Sequence, residues 1–268
     1  MTELRRSRVP QYRIAEAVAG ELRSRILASN GDYRLATQDQ LVTEFGVSYP
    51  SVREALRILE TEGLVTVRRG KVGGAEVHRP DEISAAYHLG LALEARRVTL
   101  GDLAGALRLI EPLCAAECAR RPDRAETVVP ALTANLEVSV GLIGDGVAFT
   151  KAARQFHDML VVFNSNATLR HVAGSLVALW SAQEQTWAEV MARRGEYPSE
   201  AEAAQALRTH QRILDEITAG QAAEAERITR AHLAATQNLV LHRFEHGIVT
   251  VSSSWARQNI QSGGPAQV

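Results

Sequence analysis

Between about Pro80 and Phe244 the sequence shows almost no strand signal, and this absence constrains the fold more than any other feature. The stretch is rich in alanine and leucine. Its apolar residues recur at helical spacing, for example at Leu103, Leu107, Ile110 and Cys114, and again at Ile213, Leu214 and Ile217. Helices with one apolar face bury that face against other helices. The sequence therefore predicts an all-helical domain of six or seven helices over residues 85–245.

A different pattern precedes this domain. A first helix is predicted by apolar residues at helical spacing, which are Ile14, Val18, Leu22, Ile26 and Leu27. Thr37 followed by Gln40 is a capping-box pattern that opens a short second helix, and Gly46 ends it. Ser48 is placed to cap a third helix that runs to Gly63. The glycine-containing run LVTVRRGKVGGAEVH then predicts a two-stranded hairpin. This order of elements is that of a winged helix-turn-helix.

The predicted fold class is therefore mainly α, with a winged helix-turn-helix at residues 10–79 and a helical bundle at residues 85–245. Pro80 marks a linker over residues 80–84. The polar end of the chain, residues 246–268, is rich in Ser, Gly and Gln and predicts a flexible tail. No signal segment or membrane-length apolar run is present, so we expect a soluble, cytoplasmic protein with no membrane partner. Cys114 and Cys118, four residues apart, are expected to be small buried hydrophobes.

The charge distribution favours DNA contact in the first third of the chain. The net charge is -1, but residues 1–80 contain thirteen Lys and Arg against ten Asp and Glu. In a helix-turn-helix, the second helix of the motif lies in the major groove, and basic side chains hold phosphate. Arg53 and Arg57 lie four residues apart on one face of that helix, with the hydroxyls of Ser48 and Ser51 nearby. Arg68, Arg69 and Lys71 surround Gly70 at the hairpin tip. The alternative for each cation is an ordinary solvated charge.

The run SVREALRILETEGLVTVRRGKVGG, preceded by LATQDQLVTEFGVS, resembles the core of the GntR family of bacterial transcription regulators over about Ile14 to Val77. The resemblance implies operator contacts from Thr37, Asp39, Ser48, Tyr49, Ser51, Arg53, Arg57, Arg69, Gly70 and Lys71. Two positions depart from the family pattern, because Asp39 and Tyr49 replace arginines. An aspartate repels phosphate or accepts from a cytosine amino group, and a tyrosine donates one hydrogen bond or packs on a thymine methyl. We expect an operator unlike the usual family sequence.

Three of the eight histidines lie on apolar helix faces: His157, His210 and His232. A lone histidine on such a face is usually a hydrogen-bonded core residue, and three form a metal site only if they converge. The sequence alone leaves both interpretations open.

The runs ARQFHDMLVVFNSNATL and THQRILDEITAGQAAEAERITRAHL resemble the FCD effector domain found in the FadR-type branch of the GntR family. The resemblance implies that His157, His210 and His232 hold a divalent metal such as zinc or nickel. The family's aspartate, four residues before the first histidine, is Ala153 here, and Asp158 is a poor substitute because it points about 100° away on the helix. The three histidines, with Arg108, are the candidate effector-binding residues.

The resulting hypothesis is a regulator that acts as a homodimer on double-stranded operator DNA and responds to a small carboxylate effector. We expect it to be a repressor. Two alternatives stay open. The first is a hydrolase with a three-histidine metal centre, for which the sequence shows no general acid or base beside the ligands. The second is a helical interaction module whose DNA-binding element has decayed, as Asp39 and Tyr49 would allow.

Overall fold

The computed structural model describes residues 11–29, 33–67, 75–78, 80–243 and 247–251. Two compact units divide the chain, residues 1–81 and residues 82–268, and each has its own hydrophobic core. The second unit begins with a helix at Glu82, so the linker predicted over residues 80–84 is shorter than expected. In the described ranges no helix is both long and apolar enough to cross a membrane.

The first unit is the predicted winged helix-turn-helix. Its elements are α1 (Gln11–Ala28), α2 (Gln38–Phe45), α3 (Tyr49–Thr61), β1 (Val65–Val67) and β2 (Ala75–Val77). The two strands pair antiparallel, with Val65 opposite Val77. Both predicted caps are present, because the side chain of Thr37 accepts from Gln40 N and that of Ser48 accepts from Ser51 N. These local bonds satisfy backbone N–H groups that the helix itself leaves free.

Helix α3 is positioned by its apolar face. Val52, Ala55 and Leu59 are fully buried against the apolar face of α1. Gly46 ends α2 with a left-handed backbone, at φ 61°, which turns the chain from α2 into α3 at no steric cost. The remaining face of α3 stays exposed, and it carries Arg53 and Arg57.

The second unit contains seven helices in the described residues. They are α4 (Glu82–Ala95), α5 (Leu100–Arg120), α6 (Val128–Val140), α7 (Gly146–Val162), α8 (Ala167–Arg194), α9 (Glu200–Thr218) and α10 (Ala222–Arg243). Helix α5 is central, because it packs against α7, α8, α9 and α10. Cys114 and Cys118 of α5 are buried free thiols, as predicted, and burial raises the pKa of each to about 12.

The predicted flexible tail is wrong for residues 247–251. Val249 and Val251 are fully buried, and Ile248 forms an isolated antiparallel bridge with Thr99. Hydrogen bonds to its backbone hold the segment: Val249 N donates to Val98 O, and Gln183 Nε2 donates to Thr250 O. The two valines of the segment pack into a groove beside α4 and α8. The polar residues around them in the sequence concealed this apolar contact. The rest of the predicted tail, residues 252–268, lies outside the described residues.

Candidate metal and effector site

Three histidines from three helices converge in the second unit. The Nε2 atom of His210, on α9, lies 3.0 Å from Nε2 of His157 on α7 and 2.9 Å from Nε2 of His232 on α10. All three side chains are buried. The ring of His210 stacks on that of Phe156, with 4.4 Å between centroids, and this contact fixes its orientation. The structure therefore brings together the three residues whose convergence the sequence left open.

A carboxylate and a guanidinium lie directly behind this cluster, and the sequence analysis missed both. Glu111 of α5 is fully buried; its Oε1 lies against His157 Nδ1, and its Oε2 accepts from Arg154 Nη2 at 2.8 Å. Burial alone would raise the pKa of Glu111, but the charges of Arg154 and His157 and their hydrogen bonds lower it to about 2. The carboxylate is therefore ionised, and it compensates the buried positive charge of Arg154.

A signal for Glu111 was present in the sequence. It lies one turn after Leu107 and one turn before Cys114, on the apolar stripe that predicts the buried face of α5. A carboxylate on such a stripe costs free energy unless it is paired inside the protein, so it points to a buried cation or histidine. Arg154, which follows Ala153 on α7, is that cation.

The ionised Glu111 determines which nitrogen of His157 carries the proton. A carboxylate only accepts hydrogen bonds, so its contact with Nδ1 favours the tautomer of His157 that carries the proton on Nδ1 and leaves a lone pair on Nε2. His210 Nε2 then faces two imidazole nitrogens with at most one proton to share. A single proton cannot satisfy three nitrogens, whereas a metal ion accepts a lone pair from each.

The donor set fits a divalent metal. Zinc binds imidazole nitrogen at about 2.0–2.1 Å, which places neighbouring ligand nitrogens roughly 3.3 Å apart. The two observed separations, 3.0 and 2.9 Å, are close to that value. Burial lowers the pKa of His157, lowers that of His210 well below its ordinary value, and lowers that of His232 to about 3. Neutral imidazole is the form that ligates metal. His157, His210 and His232 are also the group of described residues whose ligand atoms lie close enough to share one ion.

A cavity opens beside the histidines and holds about 90 Å³ of space for water-sized molecules. One water needs roughly 10–15 Å³, so the cavity has room for a small organic molecule. The wall includes Phe149, Thr150, Ala153, Arg154, Glu184, Trp187, Tyr197, Thr236 and Leu239. The Trp187 Nε1 donor is buried and has no partner among the described residues. Burial raises the pKa of Glu184, which also lines the cavity.

In the first unit, the structure joins the two residues that depart from the family pattern. The hydroxyl of Tyr49 donates to Asp39 Oδ1 at 3.1 Å, across the turn between α2 and α3. Both side chains are exposed. Arg53 is exposed on the same helix, and Arg57 is exposed and forms a surface ion pair with Glu54 at 3.2 Å. Four candidate contact residues therefore lie at the surface of the motif.

Ser51 does not face outward. Its side chain is only 2 % exposed, because it lies on the buried side of α3 beside Val52, and its hydroxyl contacts that of Ser48 at 3.0 Å. We therefore remove Ser51 from the predicted DNA contacts. The hydroxyls of Thr37 and Ser48 both serve as helix caps. Arg68, Arg69, Gly70 and Lys71 lie outside the described residues.

Comparison with known proteins supports the same division of the chain. Residues 14–73 match the model of bacterial regulatory proteins of the gntR family, and residues 102–235, half of the chain, match the FCD domain. The chain belongs to the GntR family of transcription regulators, with an FCD domain. The HTH-type transcriptional regulator LutR of Bacillus subtilis (strain 168) is 24 % identical over 215 residues, which cover 80 % of this chain and 94 % of LutR. A solved structure of Streptococcus agalactiae GntR shares the fold, with a TM-score of 0.62 at 19 % identity over 84 % of this chain and 99 % of that one.

The structure clarifies how this GntR-family chain departs from the FCD pattern. Ala153 lines the cavity, one turn before His157, and offers no donor atom at the position of the expected aspartate. Asp158 does not replace it, because its carboxylate turns toward Arg154 Nε, at 3.6 Å, and lines a different cavity. Desolvation by burial raises the pKa of Asp158 to about 7.

The assignment of Arg108 to effector binding is not supported. Its Nε donates to Gln237 Oε1 at 2.7 Å and its Nη2 donates to Asn238 Oδ1 at 2.9 Å. These bonds tie α5 to α10, and Arg108 does not line the cavity beside the histidines. The physical reason is helical geometry: Leu107 and Glu111 occupy the inward face of α5, so the side chain of Arg108 leaves the helix along its flank. The inward guanidinium is that of Arg154.

Proposed function

We propose that this GntR-family protein is a DNA-binding regulator whose FCD domain binds a small organic acid beside a metal held by His157, His210 and His232. The observation that carries the proposal is the convergence of three buried Nε2 atoms at the edge of a cavity. The family assignment favours a regulator over a hydrolase.

The DNA-binding role rests on the exposed face of α3. In a helix-turn-helix this helix enters the major groove, where its first residues meet base edges. Tyr49 begins α3, and Arg53 follows one turn later. Arg53 and Arg57 would contact phosphate, since neither is buried in an internal ion pair. Arg69, Gly70 and Lys71 at the hairpin tip remain proposed contacts with the backbone.

The metal would be zinc or nickel, because both accept imidazole nitrogen. With three protein ligands, a bound ion supplies an open Lewis-acidic position for a carboxylate oxygen. Glu111 orients His157 for that role by holding its Nδ1–H, an arrangement that commonly raises the basicity of a ligating histidine. The remaining histidines need no charge change to bind, since burial keeps them neutral.

The cavity selects for a small acid with an apolar body. Phe149, Trp187 and Leu239 supply apolar wall, and the guanidinium of Arg154, which is paired with Glu111, also lines the cavity. The indole N–H of Trp187, which has no partner among the described residues, offers a donor to an oxygen of the effector. A ligand pocket of mostly apolar wall with few polar groups is the usual form of small-molecule sites.

We propose that the protein acts as a cytoplasmic homodimer and represses transcription when the effector is absent. A two-fold pair of recognition helices matches a near-palindromic operator. Helix α5 exposes Leu109 and Leu113 one turn apart, with 65 % and 42 % of each accessible, and these suit contact with a second copy. The effector would shift the equilibrium between two arrangements of the dimer, and the size of the shift would depend on the difference between its affinities for the two. Replacing both leucines by glutamate should convert a dimer into a monomer, as measured by sedimentation.

One experiment tests the proposed function. Bound metal and binding to DNA upstream of the gene are measured for the purified wild-type protein and two variants. The first variant is His210→Ala, and the second, His242→Ala, is a control that loses an exposed histidine of α10. We expect wild type and control to take up one ion per chain and to shift that DNA in a salt-dependent band, and His210→Ala to take up far less metal. If the wild-type protein takes up neither zinc nor nickel on titration, the proposed metal site is wrong. Absence of sequence-preferring DNA binding would favour the interaction module.

A further inference from the structure

The hydrogen bond between Tyr49 and Asp39 lies where a regulator of this kind meets base edges. Asp39 is in the first turn of α2 and Tyr49 is the first residue of α3, so the bond closes the turn of the motif. Tyr49 keeps 48 % of its surface exposed despite the bond. The pair is therefore a preformed polar unit at the surface that is available to a ligand.

The direction of the bond follows from chemistry. Asp39 lies at the N-terminal end of α2, where the helix dipole favours a negative charge, and an ionised carboxylate can only accept. The phenol must therefore donate, and the bond to Asp39 also raises the pKa of Tyr49, so the proton stays on the oxygen. A tyrosine has one O–H, and this one is occupied.

The pair therefore offers a ligand only hydrogen-bond acceptors. The phenol oxygen of Tyr49 retains a lone pair, and the side chain of Asp39 makes no other bond within the described residues. The donor role that an isolated tyrosine offers, to guanine or to thymine O4, is no longer available. The bond changes the expectation formed from the two residues separately, because Tyr49 alone would donate.

A surface that offers only acceptors discriminates between the base edges of the major groove. Guanine presents two acceptors, N7 and O6, while cytosine presents the N4 amino group and adenine presents the N6 amino group beside the acceptor N7. Acceptors facing acceptors repel, and acceptors facing an amino group bond. Cytosine is the best match because its edge carries a donor and no acceptor.

We propose that the Tyr49 and Asp39 pair selects an amino-bearing base in each half of the operator, cytosine first and adenine second, and rejects guanine at that position. This assignment rests on the proposed DNA-binding function, and it adds which base class the pair reads. Thymine is disfavoured with guanine, because its O4 is an acceptor, although its methyl group can still contact the ring of Tyr49.

The test is selection from a library of duplexes with a randomised core, using the full-length protein, followed by sequencing. We expect the wild-type protein to enrich cytosine, then adenine, at one position in each half-site and to deplete guanine there. Tyr49→Phe keeps the ring and removes the hydroxyl, so the cytosine preference at that position should fall roughly three- to tenfold. Asp39→Asn introduces an amide donor, so guanine should become tolerated. Melting temperatures check that both variants fold.

Arg53→Gln is the matched control on the same helix. Loss of a phosphate contact weakens binding to all sequences alike and lowers the salt dependence, so its base profile should match that of the wild-type protein. Enrichment of guanine at the position affected by Tyr49→Phe would overturn the assignment. The assignment would also be overturned if the base profiles of Tyr49→Phe and Asp39→Asn were both identical to that of the wild-type protein. If the wild-type protein enriches no sequence at all, the proposed DNA-binding function itself fails, which is a different result from specific binding that ignores the pair.

Discussion

Glu111 lies against the Nδ1 atom of His157, a contact between α5 and α7 that orients the Nε2 atom of this histidine toward His210. The same carboxylate accepts from Arg154 at 2.8 Å, so one buried acid serves a histidine and an arginine together. This relationship makes Glu111 the main positioning residue of the candidate metal site.

Glu111→Gln should weaken zinc binding about 10- to 100-fold, because the neutral amide no longer holds the Nδ1–H of His157 as strongly. The change also leaves Arg154 without its buried counter-charge, so some loss of stability is expected. Competition with a zinc chelator measures the affinity, and a melting curve measures the stability. Glu117→Gln, which removes only a surface ion pair with Arg120 on the same helix, is the control. Equal zinc affinity in Glu111→Gln and wild type would rule out the positioning role.

Ala153→Asp should strengthen metal binding by at least about tenfold, because it adds a carboxylate one turn before His157 on the wall of the same cavity. A chelator competition on the full-length protein measures the gain. Lys151→Asp adds a carboxylate at an exposed position of α7 and should leave the affinity unchanged. If both variants bind metal equally well, Ala153 does not adjoin the metal.

Gly90→Ala should destabilise the second unit by about 1–3 kcal/mol, because of overpacking. An added Cβ would lie 2.6 Å from Val251 Cγ1 and 2.8 Å from Leu179 Cδ2, closer than atoms can approach without movement. Chemical denaturation measures the free energy of unfolding. Gly105→Ala, in the interior of α5 with no described atom within 4 Å of the new Cβ, should be neutral or stabilising. An unchanged stability of Gly90→Ala would mean that residues 247–251 do not pack on α4.

Cys114 and Cys118 should not react with a thiol reagent in the folded protein. Both are fully buried and burial raises the pKa of each to about 12, so at pH 8 only about one thiol in ten thousand is ionised. Colorimetric titration should count no thiols in native protein and two per chain in denaturant. Rapid labelling of either cysteine under native conditions would contradict the described packing of α5 against α7.

Much of the local structure follows from the sequence because its causes are local. Thr37 and Gln40 cap α2 within one turn, Gly46 ends it, and Ser48 begins α3, as predicted. Apolar periodicity predicted α1 and an all-helical second unit for the same reason, since a helix buries the face that repeats every three or four residues. The family resemblance was likewise carried by contiguous runs of residues, and the comparisons confirm it.

The tertiary structure decided everything that depends on residues far apart in the chain. His157 and His210 are separated by 53 positions, and only the contact of α7 with α9 shows that their Nε2 atoms meet. Packing also assigned the inner cation to Arg154 rather than Arg108, and it buried Val249 and Val251. The bond between Tyr49 and Asp39 turns two unusual residues into one acceptor unit. The sequence determined which side chains were available and on which helical face each lay, but three-dimensional proximity determined their partners, and partners set protonation, charge and the ligand each group can bind.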